Sequence, residues 1–374
     1  MKRIVWVLVF LIMGAPAWAA SNKITVQQLK ELLVSMQQTP HTDAEVADRL
    51  KDIQLSEELT DSNASSLKRF LPGSLSAEQI EILKGQSAFL APPSTDIPAV
   101  PAPDAAAQNT ILAKAADFAS KIYAQNPHLS VIKATLRYEN ELQVTNSIGM
   151  RIPEMLHSPV KFVETNLDPV ESDKGVEKSP TSRAKTKWGE NGKISEGEPG
   201  TNLGVIFPEA LSSGKIEWLR WQMINGTQTA VFSFSVEKKK SHFNVSYCCF
   251  PKTDLVVTGS MLQSNGSGIH PNSTWVPFKK IVGYHGEFFI NPNTGTIVRI
   301  ITRAEMKPSD LVFSEARRID YDQIVIDGKE YQLPRISETV VDVVPNGDNS
   351  NTTCTDRHTF FHVSYQNYKL AGAH

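Results

Sequence analysis

The stretch GEFFINPNTGTIVRI, residues 286–300, predicts two β-strands that fold back on each other through a tight turn. Its centre, residues 291–295, combines Asn, Pro, Thr and Gly, which are residue types that favour turns. Pro292 presets φ for the start of a turn, and Gly295 tolerates the positive φ that most side chains avoid. This hairpin places the C-terminal part of the chain in the β class.

The alternation on both sides of the turn predicts the register of the hairpin. Successive side chains of a strand point to opposite faces, so we expect Phe288 and Ile290 to share the buried face with Val298 and Ile300. A shift by one residue would turn this apolar set towards solvent, and the pattern therefore specifies a single register.

The same period of two recurs in VIKATLRYEN at 131–140, TAVFSFSVEKK at 229–239 and TFFHVSYQNYKL at 359–370. In IVIDGKEYQL, residues 324–333, the central Asp-Gly dipeptide suits a type I′ hairpin turn. Polar stretches rather than clear helical crossovers separate these strands. We therefore predict a long antiparallel meander that curls around its one apolar face.

Residues 21–91 predict a small helical region that precedes the sheet. Apolar residues recur there at helical spacing in about four short amphipathic segments. Thr42 with Glu45, and Ser76 with Gln79, match the capping-box pattern and predict two helix starts.

Residues 92–107 predict a Pro/Ala-rich linker after the helical region. Its five prolines favour an extended, semi-rigid spacer. Residues 108–125 then predict one helix that packs on the sheet, so that residues 108–374 form a single helix-plus-sheet domain. The predicted fold class is α+β.

The first twenty residues predict a signal peptide. Lys2 and Arg3 supply a positive start, residues 4–13 are apolar, and AWA at 17–19 matches a cleavage site. The apolar run is shorter than the roughly 20 residues that a spanning helix needs. We expect removal of residues 1–20, a periplasmic or secreted location, and no transmembrane segment in the mature chain.

Charge and cysteine content argue against several classes of protein. Acidic and basic residues are interspersed and the formal net charge is −2, so we expect no nucleic-acid partner. The three cysteines match no zinc spacing. In an oxidising compartment the simplest pairing joins Cys354 to Cys248 or Cys249. Alternation places Cys249 on the buried side of its strand and favours Cys248; a vicinal disulfide is the strained alternative.

Two motifs carry a family resemblance. The pattern Y-x-G-x-x-x-(V/I)-(D/N)-P-x-T-G fits residues 284–295, and Y-x-x-(V/I)-x-(I/V)-x-G-x-x-Y-x-L-P fits residues 321–334. From residue 108 onwards the chain resembles uncharacterised secreted bacterial proteins. It is also similar to the outer-membrane lipoprotein-carrier superfamily. The resemblance implies a curved antiparallel half-barrel with helices over its concave, apolar face.

The sequence contains one isolated match to a nucleophile motif, Ser-x-x-Lys at residues 65–68, which lacks its companion Lys-Thr-Gly motif and which we interpret as an exposed helical turn. None of the other common nucleophile, zinc or phosphate-binding motifs is present. The best metal candidate combines Cys354 with His358 and His362, but strand positions four apart lie roughly 13 Å apart. We therefore expect no enzymatic activity, no cofactor and no metal.

Two aspartates, Asp320 and Asp322, flank Tyr321 beside Arg317 and Arg318. An acid–base site is one interpretation of this cluster. We favour the other, a salt-bridged surface that faces solvent.

Aromatic residues dominate several of the predicted strands, and their simplest role is the core of the sheet. Some of them are candidates to line a cavity beneath the covering helices, since an apolar cavity is the ordinary form of a small-ligand site. These candidates are Trp218, Trp221, Phe232, Phe234 and Phe288.

The sequence therefore predicts an exported, non-enzymatic binding module. Its expected ligand is a lipid, an acyl chain or an apolar segment of a partner, held on the concave face of the sheet. The alternative is a structural or envelope-associated interaction domain with a filled core, no ligand and a protein partner in the envelope.

Overall fold

The computed structural model describes residues 23–125, 128–140, 160–173, 176–178, 203–251, 275–344 and 357–371. These residues form a small N-terminal helical region followed by a large antiparallel sheet with helices packed on it. The predicted α+β class is confirmed. None of the described helices has the length and apolar character needed to cross a membrane.

The helical region, residues 23–91, contains four α-helices and two short paired strands. Its elements are β1 (Lys23–Ile24), α1 (Val26–Gln37), α2 (Asp43–Lys51), β2 (Gln54–Leu55), α3 (Asp61–Leu67) and α4 (Ser74–Ser87). The apolar stripes of the helices meet in one cluster, in which Leu29, Leu33 and Leu50 are fully buried. Burial of these stripes, rather than helix propensity, supplies most of the stability of such short helices.

Capping residues set the first two helix starts. Thr42 and Glu45 form the predicted capping box at the start of α2. Thr25 and Gln28 form a second one at the start of α1. Each box satisfies backbone N–H groups that have no partner within the helix.

The capping box predicted for Ser76 is wrong, because α4 begins two residues earlier, with Gly73 as its N-cap. Ser76 lies inside the helix, and its hydroxyl donates to Asp43 of α2 at 2.6 Å. The Asp43 carboxylate also accepts from the backbone N–H groups of Leu75 and Ser76. Helix α2 therefore caps α4 in place of a local side chain.

In the part of the chain that the structure describes, the main sheet has ten strands, all antiparallel to their neighbours, in the order β5-β4-β3-β14-β13-β12-β11-β10-β7-β6. The helix before it, α5 (Ala105–Gln125), begins three residues before the predicted position. A further helix, α6 (Leu203–Ser213), precedes β6. The strands are β3 (Leu129–Asn140), β4 (Val160–Asp173), β5 (Val176–Lys178), β6 (Lys215–Ile224), β7 (Thr227–Val236), β10 (Tyr284–Ile290), β11 (Ile297–Ala304), β12 (Val312–Ile326), β13 (Lys329–Val343) and β14 (Arg357–Leu370).

Two hairpins turn through residue pairs with positive φ. Asp327 and Gly328 have φ values of 50° and 77°, which confirms the predicted turn between β12 and β13. Asn225 and Gly226 repeat this geometry between β6 and β7, with φ values of 48° and 78°. Asn, Asp and Gly are the residue types that tolerate this conformation at least cost.

The hairpin of residues 286–300 forms as predicted, but one residue of its expected buried set is wrong. Phe288 pairs with Ile300, whereas Ile290 pairs with Ile297 because a bulge shifts the register after Phe289. The bulge gives the core position to Ile297, which is fully buried, and Val298 packs on the opposite face. An inserted residue reverses the alternation on one strand.

Both faces of the central strands are buried, so the predicted single apolar face is wrong. The face that carries Phe288 lies against α5 and α6, and we call it the aromatic face. The opposite face, which carries Phe289, Arg299 and Arg318, lies against the helical region, and we call it the charged face. A strand buried on both sides carries apolar residues at consecutive positions, as Phe288 and Phe289 do.

A separate two-stranded sheet packs at the edge of the aromatic core. It pairs β8 (Asn244–Pro251) with β9 (Trp275–Ile281). Phe243, Val245 and Tyr247 are buried in the same cluster as Phe288, which confirms the predicted alternation at these positions.

Candidate functional site

The two tryptophans of β6 lie on the aromatic face because of a second bulge. Residues three apart on a regular strand point to opposite faces. The register shift between Trp218 and Arg220 turns Trp221 back to the side of Trp218, and their ring centroids are 4.9 Å apart. Both rings pack half-buried against the core. Trp221 Nε1 also donates to the carbonyl of Pro101 in the linker, at 2.9 Å.

The three phenylalanine candidates form the centre of the aromatic face. Phe232 meets Trp218 edge to face at 5.4 Å, and Phe234 stacks on Phe288 at 4.1 Å. All three are at least 97% buried. The structure therefore brings the five sequence-predicted residues together on β6, β7 and β10.

Two helices cover this face. In α6, Phe207 meets Phe288 edge to face at 4.9 Å, and both side chains are fully buried. In α5, the buried positions within the same cluster are Ile111, Ala115 and Ala119. Two of these three side chains are alanines, and Leu112, Ala116 and Phe118 of α5 also pack against the cluster, partly buried.

The turn of residues 291–295 holds α5 in place. Lys114 Nζ donates to the carbonyls of Pro292 and Asn293 at 3.3 and 3.1 Å. Gly295 has φ +77°, and a Cβ there would lie 2.4 Å from the carbonyl carbon of Lys114. The glycine therefore serves both the turn and the close approach of the helix.

A buried hydroxyl at the edge of the aromatic face has no partner among the described residues. Tyr284 stacks on Phe243 at 5.0 Å and is 1% exposed, yet its Oη makes no hydrogen bond there. Burial, and then the negative charge of Glu209 on α6, raise the pKa of Tyr284. An unsatisfied buried hydroxyl costs about 1–3 kcal/mol. Tyr284 was not among the candidate site residues predicted from the sequence.

The cluster around Tyr321 forms salt bridges, as predicted, and Asp322 is exposed and pairs with Arg335, but the expected exposure of the other members is wrong. Arg318 and Asp320 are 2% and 6% exposed, and Arg318 Nη2 lies 2.8 Å from Asp320 Oδ2. The helical region covers them and contributes Glu58, whose Oε1 accepts from Arg318 Nη1 at 2.9 Å. No local pattern marks Glu58, because its partners lie 241 and 260 residues away.

The two histidines considered for a metal site each lie beside a carboxylate. His358 Nδ1 is 2.6 Å from Asp342 Oδ1, and His362 Nδ1 is 3.6 Å from Glu338 Oε1. Cys354 lies outside the described residues. Within the described part of the chain, no three potential ligands come together to hold a metal ion.

Two further predictions fall on residues that the structure does not describe. The signal peptide, residues 1–20, lies outside the described ranges. The disulfide involves Cys354, which also lies outside them, with Cys248 or Cys249 of β8. Both stay predictions.

Compared with protein-family models, with curated proteins and with solved structures, the chain gives no match. The resemblance to the lipoprotein-carrier superfamily therefore stays a prediction.

Proposed function

We propose that the protein is an exported, non-enzymatic binding module that holds an acyl chain against its aromatic face, beneath α5 and α6. The observation that carries the proposal is the way α5 covers this face. Its buried positions include Ala115 and Ala119. Each buried carbon of a side chain stabilises the packed helix by about 0.8 kcal/mol, so these one-carbon side chains stabilise it little. A helix held in this way can open locally at a lower free energy than the whole domain unfolds.

The hydroxyl of Tyr284 supports a ligand with a polar end. It lies at the edge of an apolar cluster and lacks a hydrogen-bond partner among the described residues. Ligand sites commonly combine an apolar lining with a few polar groups that fix orientation. The nearby carboxylate of Glu209 favours an uncharged polar end, such as an ester, over an anion.

A structural or envelope-associated interaction domain with a filled core is the second candidate. The contact between Phe207 and Phe288 favours it, because both rings are fully buried by the chain itself. On this alternative α6 is a permanent part of the core, and the partner is a protein of the envelope.

A comparison of ligand binding by the wild-type protein and by Tyr284→Phe distinguishes the two candidate functions. The ligand test uses native mass spectrometry of the full mature chain, followed by titration with a fluorescent fatty-acid ester. For a binding module we expect a co-purified apolar mass and saturable binding. Tyr284→Phe should then weaken ester binding about tenfold, the equivalent of one hydrogen bond.

The matched control is Tyr331→Phe, which removes a hydroxyl from β13, in another apolar cluster. It should leave binding of the ester unchanged. A chain that carries no apolar mass and shows no saturable binding of the ester would contradict the proposal and favour the filled core.

A further inference from the structure

The contact between the helical region and the charged face contains a buried charge cluster. Its five members come from a loop of the helical region and from three strands. They are Glu58, Arg299 of β11, Arg318 and Asp320 of β12, and Glu338 of β13. Each is at most 6% exposed.

Glu58 joins the helical region to the sheet through both arginines of the cluster. Its Oε1 accepts from Arg299 Nη1 at 3.2 Å and from Arg318 Nη1 at 2.9 Å. Both guanidinium groups also donate to Asp320, and Arg318 Nη1 lies 3.6 Å from Glu338 Oε2. The docking of the helical region therefore depends on electrostatic contacts that are shielded from solvent.

The cluster contains three carboxyl groups and two guanidinium groups, so it carries one excess negative charge when every group is ionised. Next to it, Lys84 of α4 and Asp61 of α3 lie 2.7 Å apart and balance each other. Arg335 and Asp322 form another pair, 2.9 Å apart and partly exposed. Burial of one uncompensated charge is strongly unfavourable.

We propose that the docked interface takes up one proton, held on the carboxyl group of Glu58, and that docking of the helical region weakens as the pH rises and this proton is lost. With Glu58 neutral, two carboxylates face two guanidinium groups and the cluster is balanced. The protonated carboxyl group keeps its carbonyl oxygen as an acceptor for Arg299 and Arg318.

The environments of the three carboxyl groups agree with this assignment. Burial raises the pKa of Glu58, and the charges of Asp320 and Glu338 raise it further, against the opposing effect of the two arginines. Burial also acts on Asp320, but Arg299 and Arg318 hold its pKa well below the usual range. Glu338 is likewise buried, and Arg318 with His362 keeps its pKa below the usual range.

The raised pKa of Glu58 fixes the direction of the pH effect. A group that binds its proton more tightly in the docked state stabilises that state fully below its undocked pKa of about 4.3. This stability is lost as the pH rises through the docked pKa. Within that window, each pH unit shifts the docking equilibrium up to about tenfold towards the undocked state.

The test compares full-length wild-type protein with Glu58→Gln, which imitates the neutral carboxyl group. Both proteins are unfolded in urea at a series of pH values from about 4 upwards. The difference between their unfolding midpoints at each pH removes the contributions of all groups that titrate alike in the two proteins. We expect similar midpoints near pH 4 and a growing advantage for Glu58→Gln at higher pH. At the higher pH values, the backbone amides of α4 should exchange their hydrogens more slowly in Glu58→Gln than in the wild type at the same pH.

The control variant is His362→Gln, since His362 is the other group that could supply the missing positive charge. Because His362 also acts on Glu338, the control is read as a difference: Glu58→Gln should still gain stability relative to its parent as the pH rises when both carry His362→Gln. The proposal is overturned if the difference between wild type and Glu58→Gln is independent of pH, or if only His362→Gln abolishes the dependence. Titration of side-chain carboxyl carbons by NMR in the wild type gives a second measurement, in which the pKa of one Glu should lie above the usual range.

Discussion

At the scale of single residues, Gly295 combines a local and a long-range requirement. Its φ of +77° belongs to the turn and follows from the sequence, which places Gly after Asn-Pro-Asn-Thr. Its contact with the backbone of Lys114 belongs to the packing of α5. The first requirement could be predicted, whereas the second joins residues far apart in the chain.

We predict that Gly295→Ala lowers the free energy of unfolding by more than the strain of a positive φ alone. That strain costs about 1–2 kcal/mol for a residue with a Cβ. The added Cβ also lies 2.5 Å from the carbonyl oxygen of Lys114, so α5 must shift. Urea unfolding of the variant gives the loss.

The matched control for this prediction is Gly328→Ala. Gly328 has the same φ of +77°, but an added Cβ meets nothing within 4 Å. It should show the backbone strain without the clash. Equal losses for the two variants would mean that α5 is not pressed against the turn.

Residue types also explain the error at Val298. The turn sequence predicts a hairpin but not the bulge after Phe289, which exchanges the faces of Ile297 and Val298. Both residues are apolar and β-branched, so binary patterning cannot distinguish them. Only a sheet buried on both faces accommodates both.

At the scale of secondary-structure elements, α4 approaches the sheet through a glycine. A Cβ on Gly85 would lie 1.9 Å from Cζ of Phe360 on β14. Ile82 of the same helix packs with Phe360 and Tyr138, whose rings stack at 5.6 Å. The helix axis can come this near only because position 85 has no side chain.

We predict that Gly85→Ala destabilises the protein, although the same change inside an exposed helix stabilises it by roughly 1 kcal/mol. The methyl group must displace either the ring of Phe360 or α4 itself. Chemical denaturation measures the loss. In a double-mutant cycle, Phe360→Leu should relieve part of it, and strictly additive effects would contradict the contact.

Elements differ in how far the sequence specifies them. The box of Thr42 and Glu45 is local, and it was predicted correctly. The start of α4 depends on Asp43, more than 30 residues earlier, and it was predicted wrongly. The three phenylalanine candidates were placed on strands correctly, but the bulge that brings Trp221 beside Trp218 has no sequence signature.

At the scale of the whole molecule, the α+β class and the antiparallel sheet followed from the change of period along the chain. The burial of both sheet faces did not, because docking of the helical region depends on contacts such as Glu58 with Arg318. Charged residues on a strand ordinarily indicate solvent, so Arg318 and Asp320 were assigned to the surface. Their burial requires a partner that the local sequence does not contain.

Covalent linkage is a further property of the whole molecule. We predict one intramolecular disulfide between Cys354 and Cys248 or Cys249 after export. Such a bond closes a loop of about a hundred residues and stabilises by roughly 4 kcal/mol in the chain-entropy model. Peptide mapping without reduction should recover the cross-linked fragment, and three free thiols in the exported protein would refute the prediction.

The path of the linker has a consequence for self-association. The helical region covers the charged face and α5 covers the aromatic face, so the chain between them passes beside β6, the last strand of the described sheet. An exposed edge strand offers unpaired backbone groups to strands of other molecules. The carbonyl of Pro101 in the linker accepts a hydrogen bond from Trp221 of this strand. Proline has no backbone N–H, so it cannot donate to a neighbouring strand and continue the hydrogen bonding of the sheet. We therefore expect the linker to hinder the addition of further strands at the β6 edge of the described sheet.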